Sequence, residues 1–104
     1  GTTANGTNSF AGGWETTANG NRSFVYGKHN IVDNSNKYVH IVGNGESKES
    51  LSNAHTLDWG GNAWFAGDVY VGGSNQDDGK VLATKEYVDS LFASVAEIKT
   101  YLGI

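Results

Sequence analysis

Thr3-Ala4-Asn5-Gly6-Thr7-Asn8-Ser9-Phe10-Ala11-Gly12-Gly13 and Thr17-Ala18-Asn19-Gly20-Asn21-Arg22-Ser23-Phe24-Val25-Tyr26-Gly27 are two copies of one unit, fourteen residues apart and identical at seven of eleven positions. A third, degraded copy, Asp33-Asn34-Ser35-Asn36-Lys37-Tyr38-Val39, keeps the offset, with Tyr38 under Phe24 and Val39 under Val25. After it, Ile41 and Val42 push the repeat glycine on to Gly43. A short strand, a Gly and an Asn-Gly turn at a fixed short period describe a β-solenoid, in which each coil buries its apolar side by stacking on the next. Asn-Gly is expected to supply the positive-φ corner.

Composition agrees with a turn-rich chain. Gly accounts for 15 of 104 residues, and Pro, Cys and Met are absent, so disulfide, zinc-thiolate and thiol chemistry drop out. The net charge is −4 with no basic stripe, which argues against nucleic acid or an anionic membrane surface as partner. No apolar run approaches the ~20 residues of a membrane span, so membrane insertion is not expected. Lacking an initiating Met, the stretch is expected to belong to a longer protein.

At the other end, Val88, Leu91, Val95, Ile98 and Leu102 step by three, four, three and four, the a/d seam of a coiled coil. Thr84 is placed to cap the start of this helix and Gly103 to end it in the left-handed region. A lone amphipathic helix of roughly 27 Å is marginal in water and takes its stability from a partner. The mixed a set (Val88, Val95, Leu102) and d set (Leu91, Ile98) is compatible with two or three strands.

Between repeat and helix, Gly43 to Asn53 is polar and charged and reads as a solvated loop. Three β-prone runs follow, Ala54 to Trp59, Asn62 to Ala66 and Val69 to Val71, separated by Gly60-Gly61 and Gly67-Asp68. Two-residue loops of that kind suit hairpin turns, giving a three-stranded meander. The alternative is a small three-chain β-prism with Leu57, Trp59, Trp64 or Phe65 turned to a shared axis.

The Ala-x-Gly-x-x-Ser-x-x-x-Gly spacing over residues 1–43 resembles the head repeats of trimeric autotransporter adhesins, although Phe10, Phe24, Trp14 and Tyr26 are bulkier than is usual there. Leu57-Asp58-Trp59-Gly60-Gly61-Asn62-Ala63-Trp64-Phe65-Ala66-Gly67-Asp68-Val69-Tyr70-Val71-Gly72 is similar to a motif of phage and prophage tail-fibre and tail-spike proteins. Leu82-Ala83-Thr84-Lys85-Glu86-Tyr87-Val88-Asp89 resembles the start of short trimeric helices in the same proteins. Together the resemblances imply a homotrimer, and three strands for the helix. They also imply a place in a virion tail, outside the cell, beside other tail proteins.

Catalysis draws little support. Asp58, Asp68, Asp77 and Asp78 could be imagined as a carboxylate pair, yet turn chemistry accounts for each. His29, His40 and His55 lack metal-ligand spacing, so no metal, no cofactor and no enzyme activity is expected. Surface recognition fits better, because sugars stack on aromatic faces and bond to Asn, Asp and Ser. Trp14 and Tyr26 are the candidate glycan contacts, and Phe10, Phe24, Trp59, Trp64 and Phe65 are assigned to the core.

The expected architecture is therefore mainly β, a trimeric β-solenoid or β-prism fibre ending in a three-stranded α-helical coiled coil. Residues 1–43 form the β-roll-like repeat, 44–80 a β-rich connector with short hairpins, and 81–104 the coiled-coil helix. The expected role is a structural or receptor-binding segment of a tail fibre attaching to a bacterial surface, with an adhesin head fragment or a polysaccharide-degrading spike as alternatives. Replacing Leu91 and Ile98 together by Asp should dissociate the assembly, since like carboxylates would be forced into apolar layers. An unchanged sedimentation coefficient would contradict the seam.

Overall fold

The computed structural model describes residues 1–72 and 81–103. The chain forms β1 (Thr3–Ala4), β2 (Phe10–Ala11), β3 (Thr17–Ala18), β4 (Phe24–Lys28), β5 (Tyr38–Asn44), β6 (Asn53–Asp58), β7 (Ala63–Phe65) and α1 (Lys85–Leu102). It is mainly β with one C-terminal helix, in two compact units, the first Gly1–Gly67 and the second starting at Asp68. The first unit runs across the anticipated boundary at 43/44, because β5 and β6 are hydrogen-bonded neighbours in one sheet.

The repeat is a stack of coils. β1 pairs in parallel with β3, Thr3 opposite Thr17, and β2 with β4, Phe10 opposite Phe24, both at the fourteen-residue offset read from sequence. The third coil departs from it. Its strand β5 puts His40 under Phe24 and Ile41 under Val25, an offset of sixteen, so Tyr38 and Val39 do not occupy those positions. The turn shows where the extra residues enter. Asn5 Nδ2 donates to Asn19 Oδ1 at 2.8 Å, and Asn19 Nδ2 to Asn34 Oδ1 at 2.7 Å, an offset already stretched to fifteen. The last residue is taken up near Val39, where the ladder between β5 and β6 shifts register. Gly43 does fall under Gly27, as expected.

Glycine is required here for close approach more than for the Asn-Gly corner. Gly6 and Gly20 are not in the left-handed region; that conformation belongs to Asn8, Arg22 and Asn36 in successive turns. A Cβ on Gly6 would lie 2.1 Å from the Gly20 carbonyl oxygen. Gly13 and Gly27 combine both demands, with φ of 95° and 99° and a Cβ position 2.1 and 2.2 Å from the carbonyl oxygens of Gly27 and Gly43.

The interior between the two sheets is thin. Its fully buried apolar side chains are Ala18, Val25 and Ile41, flanked by Ala11 and Tyr38. The small sheet stops at two strands because the Asn30 amide takes the place of a third. Its Oδ1 accepts from Thr17 N at 2.8 Å and its Nδ2 donates to Thr17 O at 3.0 Å, which satisfies an otherwise open edge. One step further on, Asn53 Oδ1 accepts from Ile31 N at 2.8 Å.

The large sheet continues past the coils as an antiparallel meander, in the order β2-β4-β5-β6-β7. The β6–β7 connection is a three-residue loop rather than a two-residue one: Gly61 N donates to Asp58 O at 3.1 Å, with Gly61 at φ 86°. That is a type I turn closed by a left-handed glycine. The run Val69 to Val71 does not join this sheet; Tyr70 instead bridges Val81 within the second unit.

Thr84 caps α1, accepting from Tyr87 N at 3.1 Å, and Gly103 ends it at φ 74°. No side chain of this helix is buried. Gly27→Ala should destabilise the first unit by about 2 kcal/mol or more, because a left-handed residue would also collide with backbone. Gly61→Ala, with open space around it, should cost about 1 kcal/mol; equal thermal shifts for the two would argue against coil-on-coil contact as the constraint.

Candidate functional site

Strand alternation gives the large sheet two unlike faces. Val25, Ile41 and Thr56 face inward. Phe10, Phe24, Tyr26, His40, Val42, His55, Leu57 and Phe65 share the other face, and its aromatics are stacked along it. Phe10 lies on Phe24 with ring centroids 4.3 Å apart and planes 4° from parallel, Tyr26 meets Phe24 edge-on at 5.3 Å, and Phe65 stacks on His55 at 4.3 Å. Phe10 is 50% exposed and Phe65 48%, so this layer is open among the described residues of the first unit.

The five aromatics assigned to the core are exposed in the single chain. Phe10, Phe24 and Phe65 line the outer sheet face, Trp59 sits in the β6–β7 loop, and Trp64 flanks a cleft; all five are exposed. The physical reason is the narrow gap between the two sheets. With two coils of small sheet opposite, the fully buried side chains are Ala, Val and Ile, and the one ring packed against them, Tyr38, is only partly buried. Trp14 and Tyr26 are both exposed, as expected for contacts to a ligand, yet they pack in different pairs, Trp14 edge-on to His29 and Tyr26 to Phe24.

The cleft opens where the large sheet outruns the small one. It encloses about 340 Å³ and is lined by Ile31, Val32, Lys37, Tyr38, Asn53, Thr56, Asp58, Asn62, Ala63 and Trp64. Two aromatic side chains, an ammonium, a carboxylate and two carboxamides therefore line one concavity of the size small ligands occupy. Asp58 is held by the loop: Asn62 N donates to its Oδ1 at 2.9 Å, and Asn62 Nδ2 approaches both carboxylate oxygens at 3.2 and 3.3 Å. The Asn62 backbone and side-chain donors lower its pKa, so it is anionic at neutral pH. Lys37 Nζ lies 5.3 Å from the centre of the Tyr38 ring.

One buried group shapes the rim. Asp33, 7% exposed, accepts from Ser35 N at 2.9 Å, Ser35 Oγ at 3.1 Å, Lys37 N at 2.9 Å and Tyr38 N at 3.0 Å. It thereby sets the backbone that presents Lys37 and Tyr38. Burial pushes its carboxyl up, but those donors together outweigh burial and hold the pKa below the ordinary carboxylate value.

Sequence reasoning did not assemble this cleft. Its readable signal was Asp58-Trp59-Gly60-Gly61-Asn62, a loop whose ends carry the carboxylate and the amide. Nor did it join His40 to His55, which come together because the polar stretch 44–52 closes a hairpin between β5 and β6. Of the four aspartates, Asp58 is engaged in its own loop, Asp68 starts the second unit, and Asp77 and Asp78 lie outside the described residues. The seam residues Val88, Leu91, Val95, Ile98 and Leu102 all lie on α1 and are all exposed. Among the described residues, no helix is long and apolar enough to cross a membrane.

Because Asp33 is stabilised as the anion in the folded chain, its contribution is full above the unfolded carboxylate pKa of about 3.9. It is lost as pH falls through the lower folded value. Asp33→Asn should cost about 1–2 kcal/mol at pH 7, with parent and variant converging in acid; a gap constant from pH 7 to about 2 would count against this. No protein-family model, curated protein or solved structure matches the chain, so its function is argued from its own residues.

Proposed function

We propose that the chain is a structural and receptor-binding segment of a phage or prophage tail fibre, a non-enzymatic homotrimer that attaches a virion to a bacterial surface glycan. The observation that carries this reading is the mismatch between buried and exposed apolar groups. Ala18, Val25 and Ile41 are the core, while a stacked aromatic sheet face and the whole of α1 are uncovered. A chain with so thin an interior gains its stability from burial elsewhere. Two further copies of itself supply matching surfaces: a seam for the a and d residues of α1 and an aromatic layer for the sheet. The stacked fourteen-residue coils and the motif at residues 57–72 support the fibre assignment. A trimer would also repeat each weak site three times, raising avidity by about 10² or more.

Within this reading the glycan belongs in the cleft rather than at Trp14 and Tyr26. Trp64 and Tyr38 offer faces for a sugar ring, and Lys37, Asp58 and Asn62 offer donors and an acceptor beside them. Trp64→Ala should weaken adsorption to purified host surface glycan about tenfold or more while the particle keeps a mass of three chains. Trp14→Ala should leave adsorption unchanged. A parent particle of one chain that melts cooperatively would remove the trimer, and loss of adsorption in Trp14→Ala alone would move the site. Release of reducing ends from the glycan would favour the degrading spike, and an outer-membrane barrel encoded in the same gene would favour the adhesin.

A further inference from the structure

Among the described residues no group of three or more His, Cys, Asp or Glu side chains gathers around a point, but the β5–β6 hairpin brings two imidazoles together. His40 is opposite Leu57 and His55 opposite Val42, so the histidines are diagonal neighbours on the outer sheet face. Their Nε2 atoms are 2.8 Å apart.

The environment settles which nitrogen carries which proton. His55 Nδ1 is 2.9 Å from the Trp64 carbonyl oxygen, and a carbonyl only accepts, so Nδ1 holds the hydrogen. In neutral His55 the Nε2 lone pair is then free and points at His40, whose Nε2–H must be the donor. The His55 ring is fixed from below by Phe65, 4.3 Å away and 25° from parallel. An imidazole oriented by an Nδ1–H bond to a backbone carbonyl, with its other nitrogen presented bare, is how proteins hold a metal-binding histidine.

We propose that His40 and His55 are a two-imidazole site for a divalent transition metal ion, Cu(II) or Ni(II), seated beside the line that joins the two Nε2 atoms and in place of the hydrogen bond between them. The spacing selects the ion. With each nitrogen about 2.0–2.1 Å from a common metal, ligands at right angles are about 2.9 Å apart and tetrahedral ligands about 3.4 Å apart. The observed 2.8 Å matches the right-angled pair of a square-planar ion, so the rings need only turn until both lone pairs meet on the ion, whereas tetrahedral Zn(II) would also need the strands or rings to open by about half an ångström. Binding moves the His40 hydrogen from Nε2 to Nδ1 through solvent, so the ring stays neutral and no proton is released overall. Water completes the coordination.

This site does not depend on the fibre reading. The test is calorimetric titration of the full, tag-free chain with NiCl2, both as purified and after refolding with the metal present, so that a covered face cannot hide the site. Circular dichroism would check that each variant is folded. His40→Ala and His55→Ala should each weaken Ni(II) binding about tenfold or more, His29→Ala should leave it unchanged, and ZnCl2 should bind less tightly than NiCl2. If a folded His40→Ala or His55→Gln variant held Ni(II) as tightly as the parent, or the parent bound none by either route, the assignment would be overturned.

Discussion

Backbone hydrogen bonding between successive coils is the constraint on which this structure depends. A coil of fourteen residues contributes two-residue strands, too short to stand alone, and the N–H and C=O groups of these strands find their partners in the coil above or below. That forces the main chains together at every bend, and glycine follows from it. At Gly6, Gly13 and Gly27 a side chain would occupy the space of the next coil's carbonyl. Asparagine follows too, since Asn5, Asn19 and Asn34 bond to one another in a ladder up the turn, a contact that repeats only when identical amides are stacked.

The same constraint limits what can be buried. Coils this narrow leave room between the sheets for one layer of small and medium aliphatic side chains, and Ala18, Val25 and Ile41 fill it. Phe10, Phe24, Tyr26 and Phe65 are instead on the outer face, where rings stack at the spacing that the strands impose: Phe10 on Phe24 at 4.3 Å is close to the distance between neighbouring strands. A chain built this way buries three apolar side chains and leaves Phe10, Phe24, Tyr26 and Phe65 exposed. In the proposed trimer that is the source of cohesion, and the polar end of the solenoid, where the small sheet stops at Asn30, is left for recognition.

The end of the solenoid is also where chemistry concentrates. The large sheet continues through β6 and β7 after the small sheet has stopped, which leaves Trp64, Asp58 and Asn62 facing Ile31, Lys37 and Tyr38 across an open cleft. The hairpin that extends the sheet brings His55 back beside His40 on the other face. Cleft and imidazole pair thus arise from one event, the change from parallel coils to an antiparallel meander at β5.

What local spacing encodes was legible in the chain itself. The fourteen-residue offset of the first two coils, the glycine column ending in Gly43, the Thr84 and Gly103 helix ends and the a/d stripe of α1 are one-dimensional properties, set by the reach and handedness of the backbone. Three-dimensional pairing decided the rest. Two extra residues between the second and third coils moved His40 and Ile41 into the places where Tyr38 and Val39 were expected, because hydrogen-bond register, not residue resemblance, aligns a strand. The aromatic residues could be recognised as apolar from composition, but which side of the sheet they take depends on how much space the opposite sheet leaves. That width is fixed only when the coils close on one another.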